Sequence, residues 1–389
     1  MIFLETHHEE AECQVYLQPC ADAGFSHELI RNRLPGDQHA LFLERMLVRT
    51  RPKIHQFCTY FDSNYSAMGL ALYHSLQRHC PAFELWVLCL NGACADLLAR
   101  LALPHLRVIR MEDFERGDHA LHAAKQNRSN LEYYFTCTPS LPLYILRRHP
   151  ELELITYLDA DLHFYGSPDP LFAAMGQNSV AVIEHRFTPQ LAHMEENGRY
   201  NVGWLSFRND ANGLACLQWW RERCLEWCYI RHEPGRYADQ RYLDEWPHRF
   251  AQVAVLRLKG ANLAIWNIGN YHLSLAGRKL LVDEEPLIFF HFHGLRRPRS
   301  WLFSLSVGYY GISADRLLLW HIFIPFVREL IAAERIHGAA ALPGRRFTAD
   351  QSDSTLTVGQ KFRLTASILA NLFRRNSVIA IKDRVIALP

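Results

Sequence analysis

Leu154-Ile155-Thr156-Tyr157-Leu158-Asp159-Ala160-Asp161-Leu162-His163-Phe164 is the stretch on which the reading of the whole chain turns. Its first five residues are apolar, β-branched or aromatic, the composition of an inner strand of a parallel sheet, buried on both faces. The strand runs out at two carboxylates one residue apart, and Gly166-Ser167-Pro168 forms a turn behind them. In open α/β sheets the strand ends make the edge where ligands bind. Aspartates at i and i+2 lie close enough to share one hard divalent cation. Oxygen-ligated Mg²⁺ or Mn²⁺, filling its other positions with substrate phosphates, suits that pair. An isolated Asp-x-Asp also occurs as a solvated strand end, so the surroundings must carry the reading.

Upstream, strands are expected over 55–60, 85–90 and 106–109. They alternate with helices over 65–79, from Asn91-Gly92 through 103, and over 141–148. Asp62-Ser63-Asn64 offers the first helix its N-cap. Downstream, strands follow over 180–183, 200–207, 253–258 and 287–290, with a helix over 213–229. Strand and helix in alternation imply a mainly parallel sheet flanked by helices, an α/β fold. Residues 1–50 lack a clear period and read as an N-terminal extension, partly helical around 40–48. The main domain is placed at 51–300. Residues 301–389 read as a helical C-terminal region, with apolar segments at 317–331 and 364–373. From Arg345 to Pro389 there are eight Lys/Arg and three Asp, so this tail is basic by five charges. Two readings stay open for it: peripheral contact with an anionic membrane surface, or a helical cap with solvated charges.

Bulk composition narrows the function classes. A chain of 389 residues with 49% hydrophobic and 21% charged content packs as a globular protein, not a disordered one. A net charge of +2 gives no bulk affinity for nucleic acid, so no nucleic-acid partner is expected. The cysteines show no disulfide framework and no Cys-x-x-Cys zinc spacing. Signal-peptide features are missing from Met1–Glu10, and the run 317–327 is too short to span a bilayer. A cytoplasmic setting, with any membrane association peripheral at the inner surface, is the resulting expectation.

Four further stretches gain meaning beside the aspartates. Phe289-Phe290-His291-Phe292-His293-Gly294-Leu295-Arg296-Arg297-Pro298 places histidines after an apolar strand, then a glycine and two arginines. An imidazole completes a carboxylate–metal site, bare backbone lets a phosphate approach, and guanidiniums neutralise it. Asp239-Gln240 reads either as a helix cap or as ligands for sugar hydroxyls. Asn201 and Gly203 present an amide and open backbone at a strand edge, where glycine marks a bulge or a close approach. Trp266-Asn267-Ile268-Gly269-Asn270-Tyr271 suits a sugar or base, or a tight turn around a buried tryptophan.

Taken in order, these stretches resemble the GT-A-fold (Rossmann-like) nucleotide-sugar glycosyltransferases, nearest to the glycogenin-like retaining group and its bacterial relatives, over about residues 54–300. Phe57-Cys58-Thr59-Tyr60-Phe61-Asp62-Ser63-Asn64-Tyr65 is similar to that family's opening strand and nucleotide-binding loop, and Tyr157-Leu158-Asp159-Ala160-Asp161 to its Asp-x-Asp motif. Tyr200-Asn201-Val202-Gly203 and Asp239-Gln240 match two further family motifs. His291-Phe292-His293-Gly294 with Arg297-Pro298 looks like its His-Phe-x-Gly-x-x-Lys-Pro-Trp closing motif. Arg297 replaces the lysine, and the tryptophan expected after the proline is absent, since Arg299 stands there and Trp301 comes later.

The resemblance implies a metal-dependent hexosyltransferase using Mn²⁺ or Mg²⁺ and a nucleoside-diphosphate sugar, by family habit a UDP-sugar. The acceptor would be a hydroxyl on a glycan, a lipid-linked glycan or a protein, as in polysaccharide biosynthesis. Asp159, Asp161 and His291 would hold the metal. Thr59, Tyr60, Asp62, Tyr65, Asp159, Ala160, Asn201, Gly203, Asn267, Gly294 and Arg297 would hold the nucleotide-sugar. Asp239, Gln240 and Arg297 would carry the chemistry, with Asp239 or Glu184 as base if configuration is inverted. The alternatives are a nucleotidyltransferase, which usually opens on a Gly-rich basic loop that Phe61-Asp62-Ser63-Asn64 does not supply, and a catalytically silent nucleotide-sugar-binding scaffold.

Overall fold

The computed structural model describes residues 54–338, 368–381 and 384–387. The N-terminal extension, including its expected helix, and most of the basic tail lie outside the described residues. Residues from His55 onward form one unit.

Seven strands make the central sheet: β1 His55–Phe61, β2 Phe83–Cys89, β3 Leu106–Arg110, β4 Leu154–Leu158, β6 Val180–Glu184, β7 Tyr200–Arg208 and β8 Val253–Leu256, with β5 Leu162–Phe164 set apart from it. Their order is β3-β2-β1-β4-β7-β6-β8. All neighbours are parallel except β7, which runs antiparallel to both β4 and β6. The sheet is therefore mainly parallel, as the alternating pattern requires. On β4, Ile155, Thr156, Tyr157 and Leu158 are all buried. The one polar side chain among those four that lies mid-strand is satisfied across the ladder, Thr156 Oγ1 lying 2.8 Å from Ser206 Oγ.

Helix α1 (Ser66–His79) follows a short turn whose amides, Asn64 and Tyr65 N–H, are capped by the Asp62 carboxylate. Helix α2 (Gly92–Leu101) is capped by Asn91. Helix α3 (Asn130–Arg148) is twice as long as the sequence suggests, because Pro139 and Pro142 mask its N-terminal half. A capping box between Ser129 and Glu132 starts it, and burial of its inner face carries it through the prolines. Helix α4 (Ala211–Glu226) packs on α3. The described cysteines are all free and buried.

A small second sheet, β5-β13-β9, lies against this frame, with β9 Leu263–Ala264 and β13 Phe289–His291. The chain between them makes a separate three-stranded sheet, β10 Leu273–Ala276, β11 Lys279–Val282 and β12 Glu285–Pro286. In the β5–β13 register Phe290 sits opposite His163 and His291 opposite Leu162, so the two histidines emerge on opposite faces. The C-terminal region supplies helix α5 (Ile324–His337), but it also contributes strands that its sequence did not announce. Strands β14 Arg296–Arg299, β15 Leu302–Ser304, β16 Ser377–Ile381 and β17 Arg384–Ile386 form a four-stranded sheet. Position 300 is not a break in packing. Phe292 stacks on Phe326 of α5 with ring centroids 3.6 Å apart, and Phe290 meets Phe323 edge-on. No helix among the described residues is long and apolar enough to cross a membrane.

Candidate active site

At the end of β4 the chain turns sharply. The Leu162 N–H donates to the Asp159 carbonyl, the Asp159 N–H to the Gly203 carbonyl, and the Phe292 N–H to the Asp161 carbonyl. These bonds lock the acidic turn between β7 and the segment after β13. The side chains then converge. His291 Nε2 lies 3.0 Å from Asp161 Oδ1 and 3.7 Å from Asp159 Oδ2. The Tyr157 hydroxyl donates to Asp159 Oδ1 at 2.9 Å, which fixes that carboxylate's rotamer. The residues that the sequence set about 130 positions apart meet at one point.

The electrostatics of this cluster follow from burial and like charge. Loss of hydration pushes Asp159 up to about 6, His291 opposes that rise, and Asp161 adds to it. Loss of hydration also acts against ionised Asp161, but the contact with His291 outweighs it and holds Asp161 below the usual carboxylate range. Burial disfavours the His291 imidazolium, yet Asp161 and then Asp159 raise its pKa. His291 thus pairs closely with Asp161, with Asp159 at longer range.

One glycine makes the geometry fit. A Cβ on Gly203 would lie 2.9 Å from both Cε1 and Nδ1 of His291 and 2.5 Å from Asn201 Oδ1. Asn201 accepts from the Gly203 N–H and donates Nδ2–H to His185 Nε2. His185 is buried, and its Nδ1 donates to the Arg199 carbonyl. Asn267 is fully buried and spends its amide on the backbone of His185, Asn262 and Ala264. That leaves it holding the loop of Trp266, whose ring stands edge-on to His291 at 5.0 Å.

Asp239 approaches from another side. It is buried, bonded to Thr138 and influenced by Asp159. Burial, with a smaller contribution from Asp159, raises it to about 7 against the Thr138 hydrogen bond. Thr138 also meets the Tyr60 hydroxyl at 3.1 Å, which ties β1 to this corner. Gln240 donates to the Asn197 carbonyl at 3.0 Å. Thr59 is buried on β1, and Tyr65 is 40% exposed within the field of Asp161. Ala160 lies half-buried between the aspartates, and Glu184 pairs with Arg199 at 2.7 Å. Gly294 takes a positive φ of 77° and accepts from Ser306 through its carbonyl.

The chain has close kin. No protein-family profile matches it. The uncharacterized protein YfnD of Bacillus subtilis (strain 168) is 32% identical over 277 residues, 70% of this chain and 88% of YfnD. The uncharacterized protein YfnF of the same organism is 34% identical over 248 residues, 62% of this chain and 81% of YfnF. This chain belongs to the family of YfnD and YfnF. Among solved structures, that of the galactosyltransferase LgtC in complex with donor and acceptor sugar analogues is similar at a TM-score of 0.44 and 18% identity. The likeness covers 62% of this chain and 88% of LgtC.

Within this member of the YfnD family, two residues stand out that the motifs did not single out. His293 joins a set of metal-type donors: one ligand atom each from Asp161, His291 and His293 lie within 4.8 Å of one another. Its signal was the His-x-His alternation, which returns a side chain to the same side every second residue. The other is Arg296. Arg297, which matches the family lysine, is committed elsewhere. Its guanidinium donates to both oxygens of Glu334 on α5 at 2.9 and 3.1 Å and to the Ser300 carbonyl, and it lies over the Phe303 ring. Arg296 is exposed instead, and its charge acts on Tyr65 and on His293.

Proposed function

We propose that this chain is a metal-dependent glycosyltransferase that moves a sugar from a nucleoside-diphosphate sugar, a UDP-sugar in the first instance, to a hydroxyl acceptor such as a glycan or lipid-linked glycan. The observation that carries the reading is the convergence of Asp159, Asp161 and His291, from separate strands, on one point. A divalent cation fits this donor set. Two carboxylates face one imidazole, the bare backbone of Gly203 leaves room for that ring, and His293 adds a fourth donor beside them. Asp161 and His291 are common to both groupings of donors and are the central ligands, with Asp159 and His293 on either side.

Bound there, the ion supplies charge neutralisation for a diphosphate leaving group. The chain's own residues do the rest. Tyr157 holds Asp159 in place. Arg296 brings a guanidinium towards the same phosphates from β14, while Arg297 positions that strand against α5. Thr59, Tyr60, Asp62 and Tyr65, at the end of β1, form the nucleoside side, Ala160 and Gly294 contribute backbone beside the donors, and Asn201 with Gly203 keeps the floor under His291 clear. Asp239, near half-protonation at neutral pH, and Gln240 meet the transferred sugar: each both donates and accepts hydrogen bonds, as a hydroxyl-rich ring requires.

The test is a panel of nucleotide-sugars screened by thermal unfolding with Mn²⁺, followed by slow donor hydrolysis without acceptor. One donor should raise Tm by several degrees, because a ligand that binds only the native state stabilises it. It should also release nucleoside diphosphate in a chelator-sensitive way. A shift without hydrolysis would leave the scaffold reading in its place, and a panel with neither would sink both.

A further inference from the structure

Beyond β14, on the side of the acidic cluster marked by Arg296, lies a cavity of about 580 Å³ that none of the roles above uses. That volume is in the range of small-molecule sites. Arg296, Ser306, Tyr309, Asn371, Arg374 and Asn376 are among the residues that line it. Among the described residues, no acidic side chain lines it.

Two links join this cavity to the candidate active site. Arg296 belongs to both, since its charge reaches Tyr65 and His293. Ser306 donates to the carbonyl of Gly294, the residue directly after His293. Tyr309 is 79% exposed at the cavity's rim. The cavity therefore opens beside the place where donor chemistry is proposed to occur.

We propose that this cavity is the acceptor subsite and takes an anionic saccharide, a sugar carrying a phosphate or a carboxylate. The inference rests on the glycosyltransferase reading. Guanidiniums present paired N–H groups that match either anion. Asn371, Asn376 and Ser306 offer the donors and acceptors that ring hydroxyls need. An exposed tyrosine gives a rigid, amphipathic surface for the apolar face of a sugar ring. Asn376 lies against the turn: its amide nitrogen is 2.6 Å from where a Cβ on Gly308 would sit, so the glycine gives the amide room there.

The experiment titrates the full chain, with Mn²⁺ and saturating UDP to occupy the donor site, using glucose 6-phosphate, glucuronate and neutral glucose in parallel, read by NMR. At least one charged sugar should bind saturably and about tenfold or more tighter than glucose, the scale of one charge-assisted hydrogen bond. The stronger of the two charged sugars identifies the anion. Arg374→Gln and Tyr309→Ala, both surface changes, should each weaken that binding while donor hydrolysis stays at the wild-type rate. Equal binding of all three sugars, or binding indifferent to Arg374→Gln, would overturn the subsite even if hydrolysis is present. Charged-sugar binding with no hydrolysis of any donor would instead overturn the glycosyltransferase reading and with it the acceptor role.

Discussion

The small sheet formed by β5, β13 and β9 carries a histidine on each face, and the two are solved differently. On one face His163 Nε2 lies 3.0 Å from Glu329 Oε2 on α5, and Arg78 of α1 reaches the same carboxylate at 3.0 Å. One carboxylate there meets one guanidinium, so charge closes within the protein. Loss of hydration keeps His163 below its usual pKa despite Glu329. On the other face His291 meets two carboxylates and no guanidinium within ion-pair distance among the described residues. The same residue types give a finished clamp on one side and a surplus of negative charge on the other. A surplus held in place by backbone bonds and a tyrosine is what the proposed cation role requires; a balanced triad is a fastener.

The sharpest way to break this contrast is Asp161→Ala. Removing a central ligand should cut metal-dependent donor hydrolysis about a hundredfold or more, the scale seen when one group stabilising a developing charge is lost. Tm should fall only modestly, because the lost contact with His291 is offset in part by relief of repulsion with Asp159. A large fall in Tm would make Asp161 a fastener as well. Glu329→Ala is the converse. It leaves His163 and Arg78 without their shared acceptor and should cost about 1–3 kcal/mol of stability, discounted because Arg78 is half-exposed. Urea unfolding measures this, and Mn²⁺ affinity by calorimetry should not move. A change in affinity as large as that of Asp161→Ala would erase the distinction.

A third histidine sharpens the comparison at smaller scale. Burial holds His185 down to about 3, with the Arg199 carbonyl opposing and His291 and His293 reinforcing. Its folded pKa lies below the unfolded value of about 6.5, so the unfolded chain binds the proton first. Its contribution to stability is complete above about pH 6.5 and is lost as pH falls towards 3, by at most about 1.4 kcal/mol per pH unit. Denaturation midpoints at pH 7 and 5, compared with those of His185→Asn, should show the slope flattened in the variant. An unchanged slope would mean that His185 takes up its proton equally in the folded and unfolded chains.

Much of this was legible in the chain itself. The β4 run and its two aspartates were readable because an inner strand is a dense apolar word that ends abruptly. The meeting of His291 with Asp161 followed from strand ends sharing one edge. What stayed hidden had physical causes. Pro139 and Pro142 broke the helical pattern of α3, although tertiary burial kept the helix intact. Ser377–Ile381 is β-branched but short, and it becomes a strand only because Leu302–Ser304 pairs with it. Between Arg296 and Arg297 the motif favoured the second, yet Glu334, far along the sequence, claims it. No local pattern records such a partner.

The stacking of Phe292 on Phe326 has a practical consequence. The residue after the central imidazole is cemented to a helix that begins past position 320, so a version shortened to end near Ser300 would lose the backing that keeps His291 in register. Anyone trimming this protein for crystallisation or for grafting its pocket onto another scaffold should carry that helix along, since the ring it supports is part of the tool.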